Sequence, residues 1–317
     1  MSKRKLHETL VFWGTSDFAV PTLEALIAKG TIPAAVVTVP DKPVGRQRRI
    51  SASPIKKAAL AHGIPVLQPA SLRDDAFLGT FTSLRPDICL VVAYGKIIPE
   101  RYLLMPRFGF LNVHPSLLPA YRGPSPIQSA ILNGEQETGV SIMLLDKETD
   151  HGPILASAHT ALDPYAYYPE LASQLADLAA QLAVQTLSKW LSGKIEPKEQ
   201  NHSQASFTKL LTRQDGLLDW SKPAEQLYNR IRALALEPGT WTHWENKILN
   251  IHRCRVLPVR VSHEDEPGQV VQKENKTAVA TGTFYLAVEE VQLEGSKPMK
   301  MKAFLNGHPD FIGSKLE

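Results

Sequence analysis

The sequence predicts an α/β protein in two parts: a parallel or mixed sheet, then a polar linker and a small β-barrel. Three observations predict it. In the first half, short apolar runs alternate with helical patterns, the signature of strands joined by right-handed crossovers. Residues 87–93 (DICLVVA) are apolar on both faces, as a central parallel strand should be. Beyond residue 206 the pattern changes to short strand-like runs spaced by turns.

The elements follow in order. Residues 9–13 are the first strand, ending at Gly14. Residues 21–29 place Leu23, Leu26 and Ile27 on one helical face and stop at Gly30. Residues 34–39 are a strand, 54–61 a helix and 65–68 a short strand. After 87–93 come strands over 108–114, 139–145 and 154–159. Residues 168–191 carry the longest helical pattern, with Leu171, Leu175, Leu178 and Leu182 forming a core-facing stripe. Residues 194–206 (KIEPKEQNHSQAS) are polar and aperiodic, as a linker is. A helix over 224–235 precedes strands over 240–245, 247–256, 268–272, 277–280, 285–292 and 299–304.

Composition narrows the class. A chain of 317 residues has length for two domains, and 43 % hydrophobic with 21 % charged residues excludes wholesale disorder, collagen and coiled coil. Cys89 and Cys254 lie far apart, which excludes a disulfide scaffold or zinc knuckle and fits a reducing cytosol. The apolar run before Gly14 is too short for a signal-peptide core, and no stretch approaches the roughly 18 apolar residues of a membrane span. We therefore expect a cytoplasmic protein without a membrane partner; it is taken as a monomer, although its sequence does not give the oligomeric state. The net charge of +3 says little, but residues 1–57 hold ten Lys and Arg against four acids. Lys42, Arg46, Arg48 and Arg49 cluster closely, as either a solvated loop or a phosphate-binding one would. G-x-G-x-x-G, the P-loop, G-x-S-x-G and H-E-x-x-H are all absent.

Chemistry gathers at one place. Asn112 and His114 lie at the carboxyl end of the strand over 108–114, and their spacing points both side chains the same way. Ligand sites of open α/β sheets collect at such ends. A stiff loop with three prolines and a glycine follows (115–124), and the next loop supplies Asp150. An amide donor, an imidazole and a carboxylate form a set able to polarise a carbonyl and move a proton. Read singly, His114 is equally a buried histidine and Asp150 an Asx turn.

Together these residues resemble a known family. Asn112-Val113-His114-Pro115-Ser116-Leu117-Leu118-Pro119-Ala120-Tyr121-Arg122-Gly123, followed by Asp150-His151-Gly152, is similar to the signature of the formyltransferases that use 10-formyltetrahydrofolate. Within that family the chain resembles the members whose acceptor is initiator methionyl-tRNA. The matching stretches are Gly14–Ala19, Pro40-Asp41-Lys42-Pro43 with Gly45-Arg46, and Ser53-Pro54-Ile55-Lys56. Others are Gln68-Pro69, Val92-Ala93-Tyr94-Gly95, Pro126-Ile127-Gln128, Asp219-Trp220-Ser221 and Pro238-Gly239-Thr240-Trp241. The chain departs from the pattern at Pro115, where glycine is frequent, and at His151, where threonine is usual. Ala235-Leu236-Glu237 replaces an Asn-Pro-Trp-like sequence.

The resemblance implies a Rossmann-like catalytic domain over 1–193, a linker over 194–206 and a C-terminal OB-like tRNA-binding domain over 207–317. It implies 10-formyltetrahydrofolate as formyl donor and no metal. Asn112, His114 and Asp150 would carry the transfer, Asn112 and His114 donating to the formyl oxygen and Asp150 pairing with His114. Ser116, Leu117, Leu118 and Pro119, with the backbone of Val92, Ala93 and Tyr94, would line the folate site. Lys42, Arg46, Arg48 and Arg49 would meet the tRNA acceptor stem, a track that Lys209, Arg213, Arg230, Arg232, Lys247, Arg253 and Arg255 could extend. An amino-sugar formyltransferase would share the three chemical residues without needing the basic loop. A folate hydrolase would release formate, and an RNA-binding module would have no turnover.

Overall fold

The computed structural model describes residues 8–44 and 49–317. The chain divides into two compact units, neither continuous in sequence. The first comprises Met1–Pro126, Glu137–Ala161 and Ala172–Thr208; the second comprises Ile127–Gln136, Leu162–Leu171 and Lys209–Glu317.

A seven-stranded sheet organises the first unit. Its strands are β1 (Leu10–Gly14), β2 (Ala35–Val37), β5 (Val66–Leu67), β6 (Ile88–Val92), β7 (Phe110–His114), β8 (Glu137–Leu144) and β9 (Ile154–Ala161). Their order is β5-β2-β1-β6-β7-β8-β9. The pairs from β5 to β7 are parallel, and β8 and β9 add antiparallel. The chain leaves β1 toward β2 and returns to β6 on the other side. That reversal opens a crevice at the carboxyl ends of β1 and β6, next to β7. A short hairpin, β3 (Lys42–Val44) with β4 (Arg49–Ser51), stands apart from this sheet.

Helices α1 (Val20–Ala28), α2 (Pro54–Ala61), α3 (Asp75–Ser83), α4 (Glu100–Leu103), α5 (Pro126–Leu132) and α6 (Tyr168–Leu191) follow in chain order. β1 and β6 are buried throughout, which is why their sequences show no alternation. Trp13 takes edge contacts from Phe81, Tyr94, Tyr102 and Phe110, and Val11, Cys89 and Val91 join the same cluster. On α6 the deeply buried positions in this unit are Leu175, Ala176, Ala179, Ala180, Ala183, Thr186 and Leu187. Leu178 and Leu182, expected to face the core, are only half-buried, because small alanines let the helix approach on the adjoining stripe.

The segment expected as a linker lies against this unit. Ile154 and Lys198 exchange backbone hydrogen bonds, and Arg122 does the same with Ser206 and Thr208. Gln200, in its middle, is 5 % exposed.

In the second unit, α7 (Ala224–Ala233) precedes an antiparallel sheet of β10 (Thr240–Trp244), β11 (Lys247–Arg260), β12 (Val270–Lys273), β13 (Lys276–Ala280), β14 (Phe284–Leu293) and β15 (Met299–Lys300). The path β10-β11-β14-β13-β12 is closed by the chain's final residues, which bond to His243 on one side and to Gly268 and Val270 on the other. Trp220 donates its indole N–H to Thr242, whose hydroxyl donates in turn to Glu317. The strand expected over 299–304 is corrected: it stops at Lys300, and α8 (Met301–Gly307) follows because Met301 and Phe304 bury one helical face. Among the described residues no helix is long and apolar enough to cross a membrane.

One acidic group makes this unit sensitive to pH. Asp215 accepts from the ammonium of Lys209 and from the backbone and side chain of Thr212, which holds its carboxyl down at about 2. A carboxyl depressed in the folded state stabilises above its unfolded value and loses that contribution as pH falls through the folded one. Asp215→Asn is expected to lower Tm at pH 7 and to leave it unchanged near pH 2. Equal shifts at both values would remove the ionic contribution.

Candidate active site

β7 and two loops build the site. Pairing with β6 on one side and β8 on the other fixes β7, so Asn112 and His114 project from a strand held along both edges. Asp150 comes from the loop between β8 and β9. Its Oδ1 accepts from Asn112 Nδ2 at 3.2 Å and its Oδ2 accepts from the Gly123 amide at 2.8 Å. Oδ2 also lies 3.5 Å from His114 Nδ1. The three residues read from the sequence are thus brought together on one carboxylate.

His114 is 4 % exposed, and its Nε2 donates to the Tyr121 carbonyl at 2.9 Å. Nε2 therefore carries the hydrogen given to Tyr121, and Nδ1 is the ring nitrogen that faces the Asp150 carboxylate. The Asn112 amide keeps a second N–H beyond the one given to Asp150.

The loop after β7 is rigid. Ser116 is buried, and its hydroxyl donates to the Ala120 carbonyl at 2.6 Å. The Leu118 amide donates to Ser141 Oγ, which itself donates to the Ser116 carbonyl. Leu118 is buried, and Leu117 and Pro119 are half-buried. At the end of β6 the Tyr94 ring packs edge-on against Trp13, and burial pushes its phenol up to about 12. Its carbonyl accepts from Thr15 Oγ1 at 2.8 Å. Ala93 beside it is exposed with φ of 47°, leaving backbone open at the crevice. A flat, polar heterocycle fits such an edge, so the residues present suit the implied folate.

Gly152 is required by close approach: a Cβ there would lie 2.1 Å from the Leu144 carbonyl oxygen. His151 replaces threonine without disturbing the set; its Nδ1 pairs with Asp146 Oδ2 at 2.7 Å and its ring stacks on His202 at 4.0 Å.

Of the basic loop, Arg46 and Arg48 lie outside the described residues, and Arg49 is described only as backbone in β4. Lys42 is exposed on β3. The base of the hairpin is pinned by Lys56, which bridges Asp41 and Gln68 at 2.7 Å each. The hydrogen bond from Lys56, joined by one from Gln68, holds the Asp41 carboxyl below its usual value.

The wider track needs correction. Arg232 is 2 % exposed and donates to Asn229 and to the Ala166 carbonyl, so it is a packed core arginine. Arg253 pairs with Glu170 and Arg255 with Glu289, while Arg213 lies over the Trp241 ring.

Sequence reasoning gave no role to Arg122 or Gln200. Arg122, 3 % exposed, donates to Gln200 Oε1 at 3.2 and 2.7 Å and to His202 Nδ1 at 2.9 Å. A charged residue inside a signature motif was the available signal for Arg122; a polar residue in a polar stretch offers none for Gln200.

Comparison with known proteins gives the family. Residues 8–187 match the formyl transferase family and residues 210–309 its C-terminal domain. The chain is 44 % identical over 306 residues to a methionyl-tRNA formyltransferase of Chloroflexus aurantiacus, covering 96 % of this chain and 98 % of that one. It is 45 % identical over 291 residues to the methionyl-tRNA formyltransferase of Roseiflexus sp., covering 92 % and 89 %. Its fold is similar to that of the N-formyltransferase from Helicobacter canadensis, solved with folinic acid and dTDP-3-aminofucose. The TM-score is 0.67 at 18 % identity, covering 89 % of this chain and 99 % of that one. It is also similar to HypX from Aquifex aeolicus, solved with tetrahydrofolic acid, with a TM-score of 0.66 at 14 % identity over 95 % of this chain and 47 % of that one. With relatives of this name matching along nearly its whole length and the family's two domains matched in order, the chain belongs to the formyltransferase family.

Proposed function

We propose that this enzyme moves the formyl group of 10-formyltetrahydrofolate to the α-amine of initiator methionyl-tRNA, in the cytoplasm, with Asn112, His114 and Asp150 performing the step. The observation that carries the proposal is the Asp150 carboxylate shared by Asn112, His114 and the Gly123 amide.

The α-amine attacks as the neutral base; a free one has a pKa of about 7.7–8.0, so only modest base assistance is needed. The free N–H of Asn112 donates to the formyl oxygen as it gains charge, and such a donor is worth about 3–4 kcal/mol. Asp150 takes the proton the amine loses, directly or through one water. His114, its Nε2 hydrogen held by Tyr121, shares that proton across Nδ1 and returns it to the departing folate nitrogen. Asp150 and His114 face each other, so the two together serve as the base. The backbone of Val92, Ala93 and Tyr94 with the loop over 116–119 is assigned to the folate.

The acceptor is assigned to the basic loop and the second unit, because phosphate contacts supply most nucleic-acid affinity. A formylation assay with charged initiator tRNA and 10-formyltetrahydrofolate tests the reading. Formyl transfer only to an amino sugar, or formate release without acceptor, would refute it.

Arg46→Ala is expected to raise KM for methionyl-tRNA and leave folate affinity unchanged. Loss of one phosphate contact flattens the log–log salt dependence of tRNA binding by about 0.7–0.9. A base-edge contact instead leaves the slope and narrows discrimination between tRNAs. If KM and discrimination both stay at wild-type values, Arg46 has no part in acceptor binding.

A further inference from the structure

We infer that Gln200 and Arg122 are positioning residues for formyl transfer: as a hydrogen-bonded pair they hold the backbone on both sides of His151 and so aim the Asp150 carboxylate. The inference rests on the role given to Asp150 above.

A glutamine carboxamide offers two acceptor and two donor places. Oε1 of Gln200 accepts from Arg122 Nε and from its terminal nitrogen, at 3.2 and 2.7 Å. Nε2 donates to the carbonyls of Asp150 and Gly152, at 3.0 and 2.7 Å. At 5 % exposure, Gln200 would lose these bonds without water to replace them. Arg122 is fixed independently of its side chain, since its amide donates to the Ser206 carbonyl at 2.9 Å and its carbonyl accepts from the Thr208 amide at 2.7 Å.

Asp150 needs such support. Its φ of 48° is a left-handed conformation that non-glycine residues seldom adopt, and it persists where neighbours over-determine it. Gln200 grips the peptide carbonyl of Asp150, while Gly123 and Asn112 grip its carboxylate. Releasing the first grip lets the carboxylate drift from the place set by the second. A misplacement of about 1 Å can cost about 10²-fold in rate. His151 lies between the two held carbonyls, so its backbone is fixed without help from its own side chain.

The test is a double-mutant cycle. Gln200→Met matches the side chain in length, carries no charge and removes these four bonds together with the longer one from Nε2 to Met143 Sδ at 3.8 Å. Gln200→Glu keeps acceptors for Arg122 and removes only the donors to the two carbonyls. kcat for methionyl-tRNA formylation and KM for 10-formyltetrahydrofolate are measured for each, alone and combined with Asp150→Asn. Each single variant is expected to lower kcat by about 10- to 100-fold with folate KM nearly unchanged. Neither is expected to lower kcat further once Asp150 is asparagine, because coupled residues are non-additive. Gln200→Glu retains its pairing with Arg122 and carries the test if Gln200→Met fails to fold. Equal losses in both backgrounds would overturn the inference, as would wild-type kcat in Gln200→Glu. Normal turnover in Asp150→Asn alone would instead overturn the role of Asp150, and the inference with it.

Discussion

Asp150→Asn is expected to lower turnover by about 10²-fold or more while folate binding stays near wild type, the usual scale for loss of an acid–base group. Asparagine preserves shape and the contact with Gly123 but cannot take a proton. It also removes the charge that faces His114 Nδ1 at 3.5 Å. Asn112→Ala and His114→Ala are expected to lose as much, since the work of all three lies in the transition state. Steady-state kcat, with folate binding measured by titration, checks this. Near-normal turnover in any one variant removes that residue from the mechanism, and weakened folate binding with normal kcat would move it to the binding surface.

Gly152→Ala is expected to abolish most activity without touching a reacting group. Its Cβ would meet the Leu144 carbonyl oxygen at 2.1 Å, a backbone atom at the end of β8 that cannot swing aside. Either β8 or the Asp150 loop must shift, and a carboxylate displaced by an ångström costs about 10²-fold. A fall in Tm accompanies the loss. His151→Thr, one residue away, supplies the contrast: it gives up the stack on His202 and the pair with Asp146 but keeps the backbone. It is expected to retain turnover within a few-fold. Full activity in Gly152→Ala would mean that the loop is softer than its contacts indicate.

How much of this was legible in the sequence depended on how local the cause was. Strand β6 was readable as an unbroken apolar run, and the shared face of Asn112 and His114 because side chains two residues apart on a strand point the same way. The start and end of α6 were readable from its periodicity, yet half of its stripe was misassigned: Leu171 and Leu175 are buried, Leu178 and Leu182 only half so. Leucine outranks alanine in hydrophobicity, but close approach to the sheet favours the small side chain. The strand read over 299–304 failed for a related reason: Met301 and Phe304 satisfy helical and extended patterns alike over so short a run. Gln200 was illegible because its burial comes from Arg122, 78 residues earlier, and no local pattern encodes that. The same distance effect hid the division of the chain. Tyr167 reads as the doorstep of α6, but its hydroxyl donates to the Cys254 carbonyl and accepts from the Cys254 amide, both at 3.2 Å.

That last arrangement bears on how the protein is made. The second unit takes Ile127–Gln136 and Leu162–Leu171 from the early part of the chain and everything else from beyond Lys209. A ribosome delivers Tyr167 first and Cys254 only 87 residues later. At about 5–20 residues per second, that leaves roughly 4–17 s before the Tyr167 hydroxyl can meet its Cys254 partner. Over that interval the Tyr167 hydroxyl, buried in the finished protein, lacks both of its bonds to the Cys254 backbone. Synthesis of this enzyme therefore contains a waiting period for chaperones to cover, and its length is set by translation speed rather than by any folding barrier.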